Sequence, residues 1–222
     1  VLGDYVTLRR DAGEAFYLNM RNESHFIVKY DATLLQDILT NVDQLDAITQ
    51  RQIIQDMHIL AQGRQIAFSE IVPLLLRFAN SESKIVNDAL YAVAQDLRQF
   101  MTPDSDEEKN LKQFYDKLSR QQFERLGWHA KNNESLDDEL TRPYIVAAAL
   151  YAENTVATTQ AHELFKTHEG VLQNLKAEIR LFIIRNEVKN YGNQALFDTL
   201  FLNYRKSSDA SYKKDLRAAI TS

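Results

Sequence analysis

The stretch His25-Phe26-Ile27-Val28-Lys29-Tyr30-Asp31 marks the point where the pattern of the chain changes. Its apolar and aromatic residues recur at every second position, and this period of two is typical of a half-buried β-strand. Asp31 follows as a predicted N-cap, because its carboxylate can accept hydrogen bonds from the free N–H groups of a helix that begins near Ala32. Helical patterns then continue to the end of the chain. The stretch therefore predicts a transition from a small sheet to an array of helices.

The residues before this stretch predict a β-hairpin. Residues 5–8 form a short strand-like run, residues 11–14 have the composition of a turn, and residues 15–20 alternate weakly. Residues 22–24 can turn the chain back into the strand at 25–30. A hairpin alone is only marginally stable, and no further strand pattern follows. We therefore expect the rest of its sheet to lie upstream of the first residue.

From Asp31 onward the apolar residues recur with the period of an α-helix. They predict about nine or ten helices of roughly 12–20 residues joined by short links. Gly63 is expected as a left-handed C-cap, and Thr141 as the cap of a helix with Pro143 in its first turn. The predicted fold class is mainly α, an irregular α-solenoid of antiparallel helix pairs similar to HEAT or armadillo repeats and preceded by the short hairpin. No fixed repeat period is present.

The composition excludes several classes of function. The net charge of −5 is small, and no basic face stands out, so nucleic acid is not expected as a partner. The absence of cysteine excludes disulfides and thiolate zinc sites, and it suits a reducing compartment such as the cytoplasm. No apolar run approaches the ~20 residues needed to cross a bilayer, so no membrane partner is expected. The chain lacks an initiator Met, and we expect it to be part of a longer polypeptide.

Two His-Glu pairs, His162-Glu163 and His168-Glu169, are the nearest approach to a catalytic motif. A zincin helix needs a second histidine one turn after the first, so that both imidazoles face the metal. Position 166 is Lys and position 172 is Leu, so neither pair completes the motif. There is also no G-x-S-x-G elbow, P-loop or dinucleotide-binding fingerprint. We therefore predict no catalytic residue and no metal ligand in this chain.

Three arginines, Arg142, Arg180 and Arg185, each lie beside an apolar helix stripe. An arginine in that position usually anchors helix ends and loop carbonyls. It could instead bind the carboxylate of a peptide through its forked donors. Arg142 and Arg180 are the candidates for such a substrate-facing role. Trp128, which follows Gly127, is expected to fill the core rather than to form a binding platform.

A family resemblance runs through the same segments. Residues 19–31 resemble the aminopeptidase N family of zinc metallopeptidases, in which an Asn, a short turn and an aromatic-rich segment join a small β-sandwich to a C-terminal helical domain. Further phrases in the family's order are Arg51 to Gly63, Leu126-Gly127-Trp128 followed by Arg142, and Arg180 to Tyr204. The resemblance spans nearly the whole chain and is strongest to the form found in lactic acid bacteria.

The resemblance implies a division at the strand-to-helix junction. Residues 1–31 would be the remnant of the preceding β domain, and residues 32–222 the C-terminal helical domain. The family's zinc ligands and catalytic glutamate belong to an upstream domain, so this segment would hold no cofactor while the parent enzyme holds zinc. Its partners would be the upstream catalytic and β domains and the peptide substrates.

The resemblance also implies a function for the parent chain, which would remove N-terminal residues from peptides. This segment would wall the substrate chamber and control peptide access without catalytic residues, and it would be inactive alone. The alternative is a free-standing helical-repeat scaffold that binds other proteins. Such a scaffold needs a polar capping repeat at its end, whereas this chain begins with a predicted hairpin, which favours the severed domain.

Overall fold

The computed structural model describes residues 7, 9–11, 13, 14 and 16–221. Ten α-helices account for most of these residues, and short 3-10 turns account for several of the links. The helices are α1 (Ala32–Thr40), α2 (Ala47–Gln62), α3 (Phe68–Arg77), α4 (Lys84–Leu97), α5 (Asp106–Leu126), α6 (Leu136–Tyr151), α7 (Thr155–Thr167), α8 (Ala177–Tyr191), α9 (Gln194–Lys206) and α10 (Ala210–Ile220). The mainly α prediction is therefore confirmed. None of the helices in the described part has the length and apolarity needed to cross a bilayer.

The predicted strand at residues 25–30 does not form, since no β-strand occurs among the described residues. Its backbone is bonded to side chains instead of to a neighbouring strand. The Val28 N–H donates to Asp56 Oδ2 at 3.0 Å, and Asn19 bonds both backbone groups of Ser24 at 2.7 Å. The hairpin prediction is wrong for these residues, because their alternation does not correspond to a buried sheet face: Phe26 is 49% exposed, and Val28 is the one buried residue of the stretch. The strand predicted at 5–8 falls outside the described residues, apart from Thr7.

The chain forms two compact units, Val1–Val93 and Ala94–Ser222. In the first unit, α2 packs against α3 and against the 3-10 turn Met20–Asn22. Asp31 caps α1 as predicted, with its Oδ1 accepting from the Leu34 N–H at 2.8 Å. The fully buried side chains of this core include Ile38, Ile54, Ile71, Leu75 and Leu90.

The second unit is built from helices that contact their neighbours in sequence and the next helix but one. Helix α5 packs on α6, α7 on α8, and α9 on α10, while α8 also contacts α6 and α10. Its interior is lined by Leu118, Leu126, Ile145, Phe165, Ile183 and Leu216. Helix α8 therefore lies at the centre of this unit, and side chains from several helices can meet beside it.

The acidic run at the start of α5 lies at the N-terminus of that helix. Ser105 caps the helix, and its hydroxyl accepts from the Glu108 N–H at 3.2 Å. Asp106, Glu107 and Glu108 occupy the first turn, where the helix dipole favours negative charge.

Two predicted helix ends are wrong in detail. Helix α2 ends at Gly63, but Gly63 has a φ of −77°, and the left-handed residue is Arg64 with a φ of 57°. Helix α6 begins at Leu136 with Ser135 as its cap, so Pro143 lies inside the helix and not in its first turn. Thr141 is fully buried there. Pro143 led to the prediction of a helix start at Thr141. The Ser135 cap and the acidic first turn instead determine where α6 begins.

Candidate functional site

Arg142 joins the end of α5 to the start of α6. The residue is 3% exposed, and its Nη1 donates to the carbonyl oxygens of Leu126 and Gly127, the latter at 3.1 Å. Its Nη2 forms an ion pair with Glu134, whose side chain is also buried. The guanidinium therefore satisfies the free carbonyls at the end of α5 and neutralises a buried carboxylate.

Arg180 has a similar position on α8. It is also 3% exposed, and its Nε donates to Asp215 Oδ2 of α10 at 2.7 Å. Its two terminal nitrogens donate to the Gln173 carbonyl and the Ser211 hydroxyl, each at 3.2 Å. The guanidinium lies 5.1 Å from the centre of the Tyr212 ring, within range of a cation–π interaction. Arg180 thus connects α8, α10 and the loop before α8.

The anchoring interpretation of the arginines is confirmed, because each bonds a carbonyl at a loop or helix end. Arg185 bonds the Ala218 carbonyl in the same way, at 3.3 Å. Contact between Arg142 or Arg180 and a peptide stays a prediction. A peptide carboxylate could reach either guanidinium only if it replaced one of these partners. Trp128 is 3% exposed and packs edge-on against Phe123, so its predicted core position is confirmed.

The two His-Glu pairs lie on and beside α7 and have separate partners. His162 Nδ1 lies 2.7 Å from Glu187 Oε2 on α8. His168 follows the last residue of α7, and its Nδ1 lies 2.9 Å from the Leu164 carbonyl oxygen. The described part of the chain contains no group of three or more His, Asp or Glu residues that could hold a metal. These residues do not fit a zinc site.

An open groove in the second unit has a volume of about 1090 Å³ and runs along α5 to the link between α6 and α7. We call it the α5 groove. Its charged lining consists of Lys109, Lys112, Lys117, Arg120, Asp116, Glu124 and Glu153. Four cations and three carboxylates therefore line this open surface.

Glu153 forms ion pairs with two lysines beside the α5 groove. Its carboxylate accepts from Lys112 at 2.9 Å and from Lys189 at 2.8 Å, and these bonds hold the pKa of Glu153 below its usual range. Its backbone has a φ of 57°, which is uncommon for a residue with a side chain. The left-handed conformation directly after α6 places this carboxylate between α5 and α8.

Comparison with known proteins identifies the family. Residues 15–222 match the family described as the ERAP1-like C-terminal domain. The chain belongs to this family. The resemblance found in the sequence is confirmed, and the match includes most of the residues that were assigned to a separate hairpin.

Three bacterial relatives of this ERAP1-like C-terminal domain share the name aminopeptidase N. The chain is 51% identical over 221 residues to aminopeptidase N of Lactobacillus helveticus, covering 100% of the chain and 26% of that protein. It is 48% identical over 219 residues to aminopeptidase N of Lactobacillus delbrueckii subsp. lactis, covering 99% of the chain and 26% of that protein. It is 35% identical over 211 residues to aminopeptidase N of Lactococcus lactis subsp. cremoris, covering 95% of the chain and 25% of that protein. The chain thus spans about a quarter of the length of these relatives.

Sequence reasoning missed the α5 groove in this ERAP1-like C-terminal domain. The spacing of the charged residues along α5 indicates i, i+4 pairs within the helix, and Glu108–Lys112 and Asp116–Arg120 do form. The sequence pattern did not reveal that the α6–α7 link places Glu153 and Asn154 opposite these residues of α5. The Asn154 amide donates to Asp116 at 3.0 Å, across 38 residues of sequence.

Proposed function

We propose that this chain is the C-terminal part of a zinc-dependent aminopeptidase, a hydrolase that removes N-terminal residues from peptides. The identity of about half of all residues to two proteins named aminopeptidase N, over essentially the whole chain, carries the proposal. The zinc ligands and the catalytic glutamate would lie in the remaining part of the polypeptide. There the metal would activate a water for attack on the first peptide bond.

In the proposed enzyme this segment walls the substrate chamber and controls the access of peptides. Its α5 groove supports the role, since fixed charges of both signs along an open groove can bind the main-chain and terminal groups of an extended peptide. The segment would act on the distal part of a substrate and not on the bond that is cleaved.

The proposal includes the finer architecture predicted from sequence. Contacts of α6 with α5, α7 and α8, and of α10 with α8 and α9, support an irregular α-solenoid. We propose that residues 32–222 form the helical domain, and that the segment 1–31 connects to an upstream β domain. The upstream catalytic and β domains of the same chain would be its partners, and the cytoplasm its location. The shared name of the relatives favours this function over that of a free-standing scaffold.

Substitution of the two candidate arginines tests their part in peptide access. Remote contacts lower the barrier only for substrates long enough to reach them. If Arg142 or Arg180 contacts peptide, its change to Ala in the full-length enzyme should lower kcat/KM for a pentapeptide roughly ten-fold, for a loss of about 1.4 kcal/mol. Hydrolysis of a single-residue chromogenic substrate should stay unchanged. Steady-state kinetics on both substrates measures the difference.

Melting temperatures of the same variants separate contact from anchoring. Arg205→Ala is the matched control, because Arg205 is exposed near the end of α9. A variant that melts earlier and loses activity on both substrates would assign its arginine to the scaffold. A variant with wild-type stability and wild-type peptide kinetics would contradict both roles for that arginine, and the α5 groove would then be the next surface to substitute.

A further inference from the structure

A cavity of about 400 Å³ lies where α7, the end of α8 and α9 meet. We call it the α7–α8–α9 cavity. Its charged and aromatic lining consists of His162, Phe165, Lys166, Glu169, Glu187 and Tyr191. None of these residues lines the α5 groove. The cavity is therefore separate from the surface proposed for peptide access.

The buried carboxylate of Glu187 is the unusual feature of this cavity. The residue is 2% exposed, and its Oε2 lies 2.7 Å from His162 Nδ1. Among the described residues, its second oxygen, Oε1, has no hydrogen-bond partner. Burial of a carboxylate is costly unless its charge is compensated.

An aromatic ring lies directly beside this carboxylate pair. The Tyr191 ring stacks on the His162 imidazole, with the ring centres 3.9 Å apart and an angle of 25° between their planes. Tyr191 is 46% exposed, so the ring also borders the open side of the cavity. Aromatic faces attract ammonium and guanidinium groups.

The other charges of the cavity do not neutralise Glu187. Lys166 and Glu169 pair with each other at 3.5 Å, at the end of α7. The wall residues contributed by α9 and the link before it, which include Asn193, Thr199 and Asn203, carry no charge. Besides His162, the charged residues of the lining are therefore two carboxylates, Glu169 and Glu187, and one lysine.

We propose that the α7–α8–α9 cavity binds an organic cation, an alkylammonium or guanidinium group, with the Glu187 carboxylate as its counter-ion and the Tyr191 ring beside it. A metal ion fits less well, because the described residues provide no cluster of three ligands. The N–H groups of an organic cation can donate to Glu187 Oε1. The rest of a small aliphatic amine contacts the apolar wall formed by Phe165, Leu172 and Leu196.

Binding of agmatine, which carries a guanidinium and an amine on a short aliphatic chain, tests the proposal. Titration calorimetry on the full-length protein at neutral pH should show saturable binding with a Kd at or below about 1 mM. Glu187→Gln removes the charge but keeps an amide oxygen that can accept from His162, and it should weaken binding at least about ten-fold. The matched control is Glu178→Gln, the same change at an exposed position of α8.

The control variant separates this cavity from any other amine site of the full-length protein. Saturable binding that Glu187→Gln abolishes and Glu178→Gln preserves supports the proposal. The absence of saturable binding to the wild-type protein overturns it, and so does equal binding by both variants. If Glu187→Gln fails to fold, the same titration with Tyr191→Leu, a change at a half-exposed position, tests the proposal. A loss of affinity in that variant supports the site, and unchanged affinity overturns it.

Discussion

At the scale of single residues, the ion pair between Arg125 and Asp138 shows how a side chain at one helix end holds the start of the next. Arg125 Nη2 lies 2.6 Å from Asp138 Oδ1, and the Asp138 side chain is 16% exposed. The Arg125 guanidinium holds the pKa of Asp138 below its ordinary value of 3.8, with a smaller contribution from the Ser135 hydroxyl. The pair connects the last turn of α5 to the first turn of α6.

This pKa shift predicts a pH-dependent contribution to stability. A carboxyl whose pKa is lowered by folding stabilises the protein above its unfolded pKa, and the contribution is lost as the pH falls through the folded pKa. Asp138→Asn should therefore lower the free energy of unfolding by about 1–3 kcal/mol at pH 7. The difference from the wild type should shrink as the pH falls below 3.8. Denaturant titrations at several pH values measure it.

The control for this prediction is Glu139→Gln. Glu139 is an exposed carboxylate in the same first turn of α6, so it experiences the same helix dipole without the Arg125 contact. We expect its effect to stay within about 0.5 kcal/mol at every pH. A destabilisation by Asp138→Asn that is equally large at pH 7 and pH 3 would contradict the charge-based explanation.

At the scale of elements, the link between α5 and α6 depends on one backbone conformation. Gly127 follows the last residue of α5 with a φ of 56° and a ψ of −159°. This region is essentially restricted to glycine. The turn brings the Leu126 and Gly127 carbonyls to Arg142 and leads directly into buried Trp128. The conformation is therefore coupled to the packing on both sides of the link.

Gly127→Ala should destabilise the second unit by about 1–3 kcal/mol through backbone strain. An added Cβ would meet no atom within 4 Å, so steric overlap is not the cause. Gly63→Ala is the comparison for backbone strain, since Gly63 has an ordinary φ of −77°; its added Cβ would instead make a tight contact of 3.3 Å with the Ile59 carbonyl oxygen. Thermal unfolding of both variants measures the difference. Equal melting temperatures for Gly127→Ala and the wild type would contradict the strain argument.

At the scale of the whole molecule, the chain corresponds to about a quarter of its aminopeptidase N relatives. We expect the isolated chain of 222 residues to bind no stoichiometric zinc and to hydrolyse no aminoacyl chromogenic substrate. The physical reason is that neither His-Glu pair has a second histidine one turn away. Metal analysis after dialysis and a chromogenic assay measure the two properties.

The full-length polypeptide serves as the positive control for this prediction. It should hold zinc and lose its aminopeptidase activity on chelation. Tightly bound zinc in the isolated chain, together with activity that a chelator removes, would contradict the assignment of catalysis to the upstream part. A full-length protein without aminopeptidase activity would contradict the proposed function itself.

The helices of this protein could be predicted from its sequence, because helix periodicity and capping depend on residues within about four positions of each other. Asp31 and Ser105 cap their helices, and the stripe of α2 is buried as its spacing indicates. The absence of a zincin motif and the family resemblance could also be recognised from the sequence, since both depend on residue types at short spacings.

The partners of the buried charges were decided only by tertiary packing. Arg142 bonds carbonyls 15 and 16 residues away, His162 meets Glu187 across 25 residues, and Arg180 meets Asp215 across 35. The stretch at 25–30 had the alternation of a strand, yet Asp56 on a following helix bonds its backbone. Periodicity specifies which side of an element is buried, but only the folded chain brings distant carbonyls and carboxylates within hydrogen-bonding distance of these groups.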